Sequence, residues 1–401
     1  MIEEKQEIHK LIELSKATWI KQNRNKDIPT HIVIKVTPRC NLNCIYCYSS
    51  NNEMTYSCID PYIVESLFDQ LFEVGNKYYV KCVFHGGEPM LYMETVEKII
   101  SILKSKFYNE RIQFTMQTNG TLISESNIDF IAENFKSIGI SLDGIEGIND
   151  RTRFYQDNRG SFNQVAKSID LLNQHGVGYG VLAVATSKNI NHFVEMVKWC
   201  SEHNIDTIGI EPLLFSGRGS MCHHLDISAE LYWKEMKKLL DYILHHNRQL
   251  SFEKRIFIRD FETVAKKILG QRCTYMCAEV PCGAGTEHIS LNYDGNVYIC
   301  DTFIDQKEYC IGNISTKKLT DMFNAPIVHD FKSRKVADNE KCNLCSMKEF
   351  CLLGCIGKTI LGNGITDLNA VSPLCYYYYH LASYIEELIT QKQVESELLI
   401  K

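Results

Sequence analysis

The chain has 401 residues, 45% of them hydrophobic, and a net charge of −6 from 43 basic and 49 acidic residues. That length allows one large domain or two moderate ones around an ample core, and with no basic run the composition gives no support to binding of nucleic acid or an anionic membrane. The opening MIEEKQEIHK lacks the charged-then-apolar pattern of a secretory signal, and no apolar run reaches the roughly eighteen residues of a membrane span.

A cytoplasmic location with reduced thiols is therefore expected, and the seventeen cysteines become candidates for metal rather than disulfides. Residues 1–24 carry apolar positions at Ile8, Leu11, Ile12, Trp19 and Ile20, the pattern of a short amphipathic helix in an N-terminal segment 1–30. From residue 31 to about 214, apolar strands alternate with helical stretches. HIVIKV is followed by a helix near 61–75, YVKCVF by 93–106, RIQFTMQ by 124–134, SIGISL by 161–175 and GYGVLAVA by 191–203, and DTIGIEPLL closes the series. Six strands separated by helices predict right-handed βαβ units and a parallel sheet, curved or closed into a barrel, over residues 31–225. Residues 226–270, including YWKEMKKLLDYILHH, read as a helical connector with a solvated basic face.

In parallel α/β folds, reactive groups gather at the carboxyl ends of the strands. The first strand runs into Cys40-Asn41-Leu42-Asn43-Cys44-Ile45-Tyr46-Cys47, three thiols spaced C-x3-C-x2-C. A closed zinc site or four-thiolate cluster takes four protein ligands, so three on one loop suggest a metal centre whose last position is left for something else. Zinc with a distant fourth ligand, or thiols without a role, fits the spacing as well. The second strand ends in His85-Gly86-Gly87-Glu88-Pro89, where paired glycines let backbone approach a ligand and a carboxylate can accept from an ammonium. The third ends in Gln117-Thr118-Asn119-Gly120, an ordinary turn signal, the fourth in Ser141-Leu142-Asp143-Gly144 and the sixth in Glu211-Pro212-Leu213-Leu214.

Past residue 270 the chain changes character, holding ten of the seventeen cysteines. Cys342-x2-Cys345-x5-Cys351-x3-Cys355 has metal-ligand spacing, and Cys282 and Cys300 flank a hairpin-like Tyr293-Asp294-Gly295-Asn296 turn. One or two zinc sites would use many of the same thiols.

The cysteine loop, with Tyr46 before and Tyr48 after its third thiol, resembles the signature of radical S-adenosylmethionine (radical SAM) enzymes, and Gly-Gly-Glu-Pro resembles that family's GGEP motif. The resemblance implies an α/β fold built on a partial (β/α)6 barrel, with a [4Fe–4S] cluster on Cys40, Cys44 and Cys47 whose fourth iron is chelated by SAM. It also implies SAM contacts from Tyr46, Gly86, Gly87, Glu88, Ser141 (ribose), Arg153 (carboxylate) and Leu214 (adenine). Cys282-x12-Gly295-x4-Cys300 and the thiols up to Cys375 resemble the SPASM extension of radical SAM maturases, here 271–385, ahead of a helix at 386–401. That extension implies two auxiliary [4Fe–4S] clusters, one on Cys277, Cys282, Cys300 and Cys355 and one on Cys342, Cys345, Cys351 and Cys375, with Cys273 an alternative to Cys277.

Asp301 follows Cys300 as in anaerobic sulfatase-maturating enzymes, where that aspartate is the proposed general base. The resemblance implies an enzyme that forms a 5′-deoxyadenosyl radical and oxidatively modifies or cross-links a residue in a ribosomally made peptide. Its alternative is oxidation of a sulfatase Cys or Ser to formylglycine, and its electron donor would be a flavodoxin or ferredoxin. A non-catalytic zinc or electron-transfer protein would account for the cysteines but not for Gly-Gly-Glu-Pro, Ser141 or Arg153 at the strand ends.

Overall fold

The computed structural model describes residues 10, 12–17, 28–48, 57–74, 79–107, 111–273, 275–278, 282–351, 353–363, 367–391 and 399–400. Of the expected N-terminal helix, residues 10 and 12–17 are helical and most of the remainder lies outside the described residues; so does most of the stretch beyond Gln391.

A ten-stranded sheet organises the chain, in the order β10-β9-β8-β1-β2-β3-β4-β5-β6-β7. The strands are β1 His31–Thr37, β2 Val80–Gly86, β3 Ile112–Thr118, β4 Ser137–Ser141, β5 Tyr179–Ala185, β6 Thr207–Pro212, β7 Phe257–Ile258, β8 His288–Leu291, β9 Asn296–Tyr298 and β10 Cys310–Asn313. The six expected strands pair parallel in sequence order, but the parallel series does not stop with them. β7 pairs parallel with β6, and β8 pairs parallel with β1. β7 is two residues long, too short to register as an apolar alternation inside the helical connector. Through β8 the hairpin β8–β9 and the edge strand β10 join the same sheet, so the cysteine-rich region is built onto the flank of β1.

The helices follow local sequence logic. Pro61–Glu73 starts with Asp60, whose side chain accepts from the Tyr62 N–H, and Pro61 occupies the first turn, where its missing N–H costs nothing. Val64, Leu67, Phe68 and Leu71, spaced for one helical face, are buried against the sheet. Met93–Phe107 repeats the pattern with Val96, Ile99, Ile100 and Leu103. The third expected helix is shorter than predicted, Ile128–Asn134, because the Asn127 side chain accepts from the Ser124 N–H and holds residues 124–127 as a turn. Ala229–Asn247 and Arg259–Ile268 both pack on Cys375–Thr390, with Tyr232 edge-on to Tyr377 at 4.6 Å. Among the described residues no helix is long and apolar enough to cross a membrane.

Near the end of β1 the register against β2 shifts between Lys35 and Thr37, so that two steps of β1 face one of β2. The irregularity turns the chain out of the sheet and into the cysteine loop.

Candidate active site

The cysteine loop is fixed from three sides. Asn43 and Ile45 donate their N–H groups to the Phe154 and Thr152 carbonyls at 2.7 and 3.1 Å, and Cys47 accepts at 3.0 Å from Arg218 N–H, in the segment after β6. The third side is the turn after β2, where Gly87 and Glu88 donate to Thr37 and Arg39 carbonyls, both at 2.7 Å. Only glycine fits at 87, since a Cβ there would sit 1.9 Å from the Arg39 carbonyl oxygen.

Two buried carboxylates brace this site. Asp143 accepts from Tyr46 Oη, from Thr152 Oγ1 at 2.7 Å and from Val184 N–H at 3.0 Å, and pairs with Arg153 Nε at 3.1 Å. Held in this way, Arg153 lies over the Tyr46 ring and places Nη1 3.9 Å from Cys44 Sγ. Glu88 accepts from Thr118 Oγ1 and Asn119 N–H, each at 2.7 Å, and from Met90 N–H at 3.1 Å. Its carboxylate thus ties the end of β2 to the end of β3, and burial pushes its pKa up to about 7. Three of the acceptor positions of Glu88 are taken up inside the fold. The side chain is fully buried, and the neighbouring surface of the cavity is formed by Gly86, Gly87, Thr118 and Asn119.

One continuous cavity of about 720 Å³ opens at the carboxyl ends of the strands. Tyr46, Ser141, Arg153 and Leu214 line it, and so do all eleven thiols expected to hold metal. Cys277 is on its wall, whereas Cys273 packs beside Thr263, with Sγ 3.9 Å from Oγ1. The electrostatic neighbourhoods divide the later thiols into two groups. Cys277, Cys300 and Cys355 act on one another and Cys282 acts with Cys355, while Cys351 acts with Cys342, Cys345 and Cys375. Cys82, Cys200 and Cys222 are buried thiols elsewhere.

Donors already point at several of these sulfurs. Cys40 Sγ accepts from Leu42 N–H at 3.4 Å and Asn119 Nδ2 at 3.6 Å, and Cys345 Sγ from Met347 N–H at 3.4 Å. Burial pushes Cys44 and Cys282 each up to about 11, so these thiols are protonated near neutrality and metal must displace the protons. Among the described residues no three Cys, His, Asp or Glu side chains gather round a point that a single ion would fill. The eleven sulfurs instead lie along the wall of the one continuous cavity.

On the cavity wall, Asp301 lies against Tyr48, the residue after the cysteine loop. Tyr48 Oη is 3.5 Å from both Asp301 Oδ2 and His85 Nε2, and the Cys300 thiol donates to Asp301 Oδ1 at 3.3 Å. His85 Nδ1 accepts from Gly86 N–H at 2.7 Å, which leaves the ring proton on Nε2. The direction of donation follows: His85 Nε2–H to Tyr48 Oη, then Tyr48 O–H to the Asp301 carboxylate. Burial lowers the pKa of His85 and raises that of Tyr48, so both stay neutral donors. Across the cavity Glu211, at the end of β6, binds Arg259, Lys358 at 2.7 Å and Tyr275 at 3.1 Å. Burial alone would raise its pKa, but Lys358 and Arg259 hold it down at about 2. Sequence reasoning gave no role to Asp143, Tyr48, His85 or Glu211. Each lies beside a motif it did use, and only the fold brings its partners to it.

Residues 34–200 match the model of the radical SAM superfamily, and residues 282–346 that of the SPASM iron–sulfur cluster-binding domain. An uncharacterized protein of Methanocaldococcus jannaschii, MJ0907, is 30% identical over 287 residues, covering 72% of this chain and 89% of its own. The chain belongs to the radical SAM superfamily. A cysteine-type anaerobic sulfatase-maturating enzyme of Clostridium novyi is 27% identical over 336 residues, covering 81% and 87%. The solved structure of native anSMEcpe with bound AdoMet and Kp18Cys peptide superposes with a TM-score of 0.76 at 25% identity, covering 91% of this chain and 99% of that one. As a radical SAM protein with a SPASM domain, the chain is an enzyme that uses [4Fe–4S] clusters and S-adenosylmethionine.

Proposed function

We propose that this enzyme oxidatively modifies or cross-links one residue of a ribosomally made peptide bound in the cavity between the cysteine loop and the SPASM thiols, with Asp301 taking the proton that the substrate side chain gives up. The observation that carries the reading is the position of Asp301. It stands inside a cavity shared by all eleven metal-directed thiols, with the Tyr48 hydroxyl on one oxygen and the Cys300 sulfur on the other.

On this reading Cys40, Cys44 and Cys47 hold the cluster that binds SAM, and Tyr46, Gly86, Gly87, Ser141, Arg153 and Leu214 line the place for SAM. When bound, the pair supplies hydrogen-atom abstraction from a carbon of the substrate. The chain's own residues do the rest. Asp143 fixes Arg153 and Tyr46, Glu88 fixes the GGEP turn against β3, and the buried wall keeps water from a reactive carbon. Tyr48 donates to Asp301 and so orients its carboxylate. The eight SPASM thiols, as two clusters, would accept the second electron, and a flavodoxin or ferredoxin would supply the first.

A second reading is oxidation of a sulfatase Cys or Ser to formylglycine, favoured by the sulfatase-maturating enzyme and the peptide-bound structure to which the chain is similar. Incubation with SAM, dithionite and candidate peptides, followed by mass spectrometry, tests both. Loss of two hydrogens with sulfur retained supports the cross-link, and conversion of a cysteine thiol to an aldehyde supports formylglycine. Reductive SAM cleavage without modification of any peptide or sulfatase sequence would sink both.

A further inference from the structure

Cys351 and Cys355 are four positions apart, yet they face different groups of thiols. Cys351 acts with Cys342, Cys345 and Cys375, and Cys355 with Cys277, Cys282 and Cys300. The short connection between them is therefore the one covalent step that joins the two groups at their nearest ligands. It turns through two successive left-handed residues, Leu353 at φ 67° and Gly354 at φ 66°. A leucine in that region is unusual, and something must hold it there.

Arg334 holds it. Half-buried just beyond helix Pro326–Lys332, it donates from Nη2 to the Leu353 carbonyl at 3.3 Å, from Nη1 to the Gly354 carbonyl at 3.0 Å and from Nε to the Leu368 carbonyl at 2.6 Å. All three guanidinium nitrogens are spent on backbone oxygens, so the groups that fix the charge do not neutralise it. Bound to the Leu353 and Gly354 carbonyls, the guanidinium sits between Cys355 of one group and Cys351 of the other, and Cys282 and Cys342 are among the thiols it acts on as well. Lys267 differs in acting on the second group, through Cys351.

We propose that Arg334 is a fixed positive charge shared by both auxiliary clusters, raising their two reduction potentials together while it positions the loop that gives each of them a ligand. The inference rests on reading the eight SPASM thiols as two [4Fe–4S] clusters. Reduction adds an electron, so a nearby cation stabilises the reduced form, and a partly buried one is little screened by salt. A common shift leaves the difference between the two clusters unchanged, so both become easier to reduce without altering which way an electron passes between them.

The test is a potentiometric titration of the auxiliary clusters alone, in protein whose Cys40, Cys44 and Cys47 are replaced by alanine, followed by electron paramagnetic resonance and iron analysis. About eight irons per chain are expected in that background. In R334Q both transitions should move to more negative potential; in K267Q only one should move; R334K, which keeps the charge, should stay close to the parent. R334Q with full iron and both transitions unmoved, or with only one moved, overturns the inference. If R334Q loses iron, R334K decides. Retained clusters at parental potentials support the charge, whereas loss of iron from R334K as well shows that the hydrogen bonds alone matter and the inference falls. Iron well short of eight in the parent itself removes the two-cluster premise and the inference with it. Reductive SAM cleavage by protein with the intact cysteine loop is measured separately, so failure of the functional reading is seen in that assay and not in these titrations.

Discussion

The two cysteine regions solve the same problem, holding sulfur around iron, in opposite ways. The first draws Cys40, Cys44 and Cys47 from eight consecutive residues, so the geometry is local, and the surrounding fold serves only to brace one loop with Phe154, Thr152, Arg218 and the β2 turn. The second draws its thiols from residues 277 to 375, and neighbours in sequence such as Cys351 and Cys355 act with different thiols. A local site is robust to changes elsewhere; a distributed site depends on every segment that feeds it.

The largest expected effect breaks the comparison at its first term. Alanine at Cys40, Cys44 and Cys47 should reduce 5′-deoxyadenosine formation to background and remove about four of twelve irons, leaving the remainder in place. Cys355→Ala should do the reverse, keeping SAM cleavage while abolishing peptide product and lowering iron by a similar amount; chromatography of 5′-deoxyadenosine beside mass spectrometry of the peptide separates them. Next in size is Asp301→Asn. It keeps the hydrogen bond from Tyr48 but cannot take a proton, so product should fall roughly 10²- to 10⁴-fold while 5′-deoxyadenosine still forms. Normal product yield would refute the base.

That asymmetry also explains what could be read from the chain alone. The six core strands and the cysteine loop were legible because alternation and ligand spacing are short-range signals. β7 was not, since two residues carry no period, and the attachment of β8 to the flank of β1 is a pairing between positions far apart. Gly-Gly-Glu-Pro marks Glu88 as a candidate for a ligand, but that its carboxylate also ties β2 to Thr118 and Asn119 of another strand is a contact no local pattern announces. Asp143 shows the same limit. Within Ser141-Leu142-Asp143-Gly144 it is one more residue at a strand end, and only the fold delivers Tyr46, Thr152 and Arg153 to its carboxylate.

His85 sharpens the comparison where the two regions meet, because it belongs to the β2 turn and acts, through Tyr48, on the residue after Cys300. Its contribution is an N–H donor from Nε2, which a glutamine amide can supply and an alanine cannot. His85→Ala should therefore slow product formation by roughly fivefold to tenfold, the worth of one hydrogen bond of about 1 kcal/mol, with His85→Gln recovering most of it and 5′-deoxyadenosine production unchanged in both. Equal losses in the two variants would show that the ring is needed for packing alone.

The smallest effect concerns stability rather than turnover. His288, on β8 where the SPASM hairpin meets the parallel strands at β1, is buried, and burial pulls its pKa down to about 4 against the opposing charge of Asp301. The folded state therefore keeps this imidazole neutral, while the unfolded chain protonates it near pH 6.5. Between those values the unfolded state binds the additional proton, so the contribution is intact above pH 6.5 and is lost as pH falls towards 4, by roughly 3 kcal/mol at most. Anaerobic urea titrations at pH 7 and pH 5 should show this loss in the parent and a flatter dependence in His288→Asn. Replacing a residue of the first region's brace that does not titrate in this range, such as Thr152→Val, should lower stability by the same amount at both pH values. An unchanged slope in His288→Asn would mean that acid weakens the junction through another group, and that β8 is not the pH-sensitive seam between the two regions.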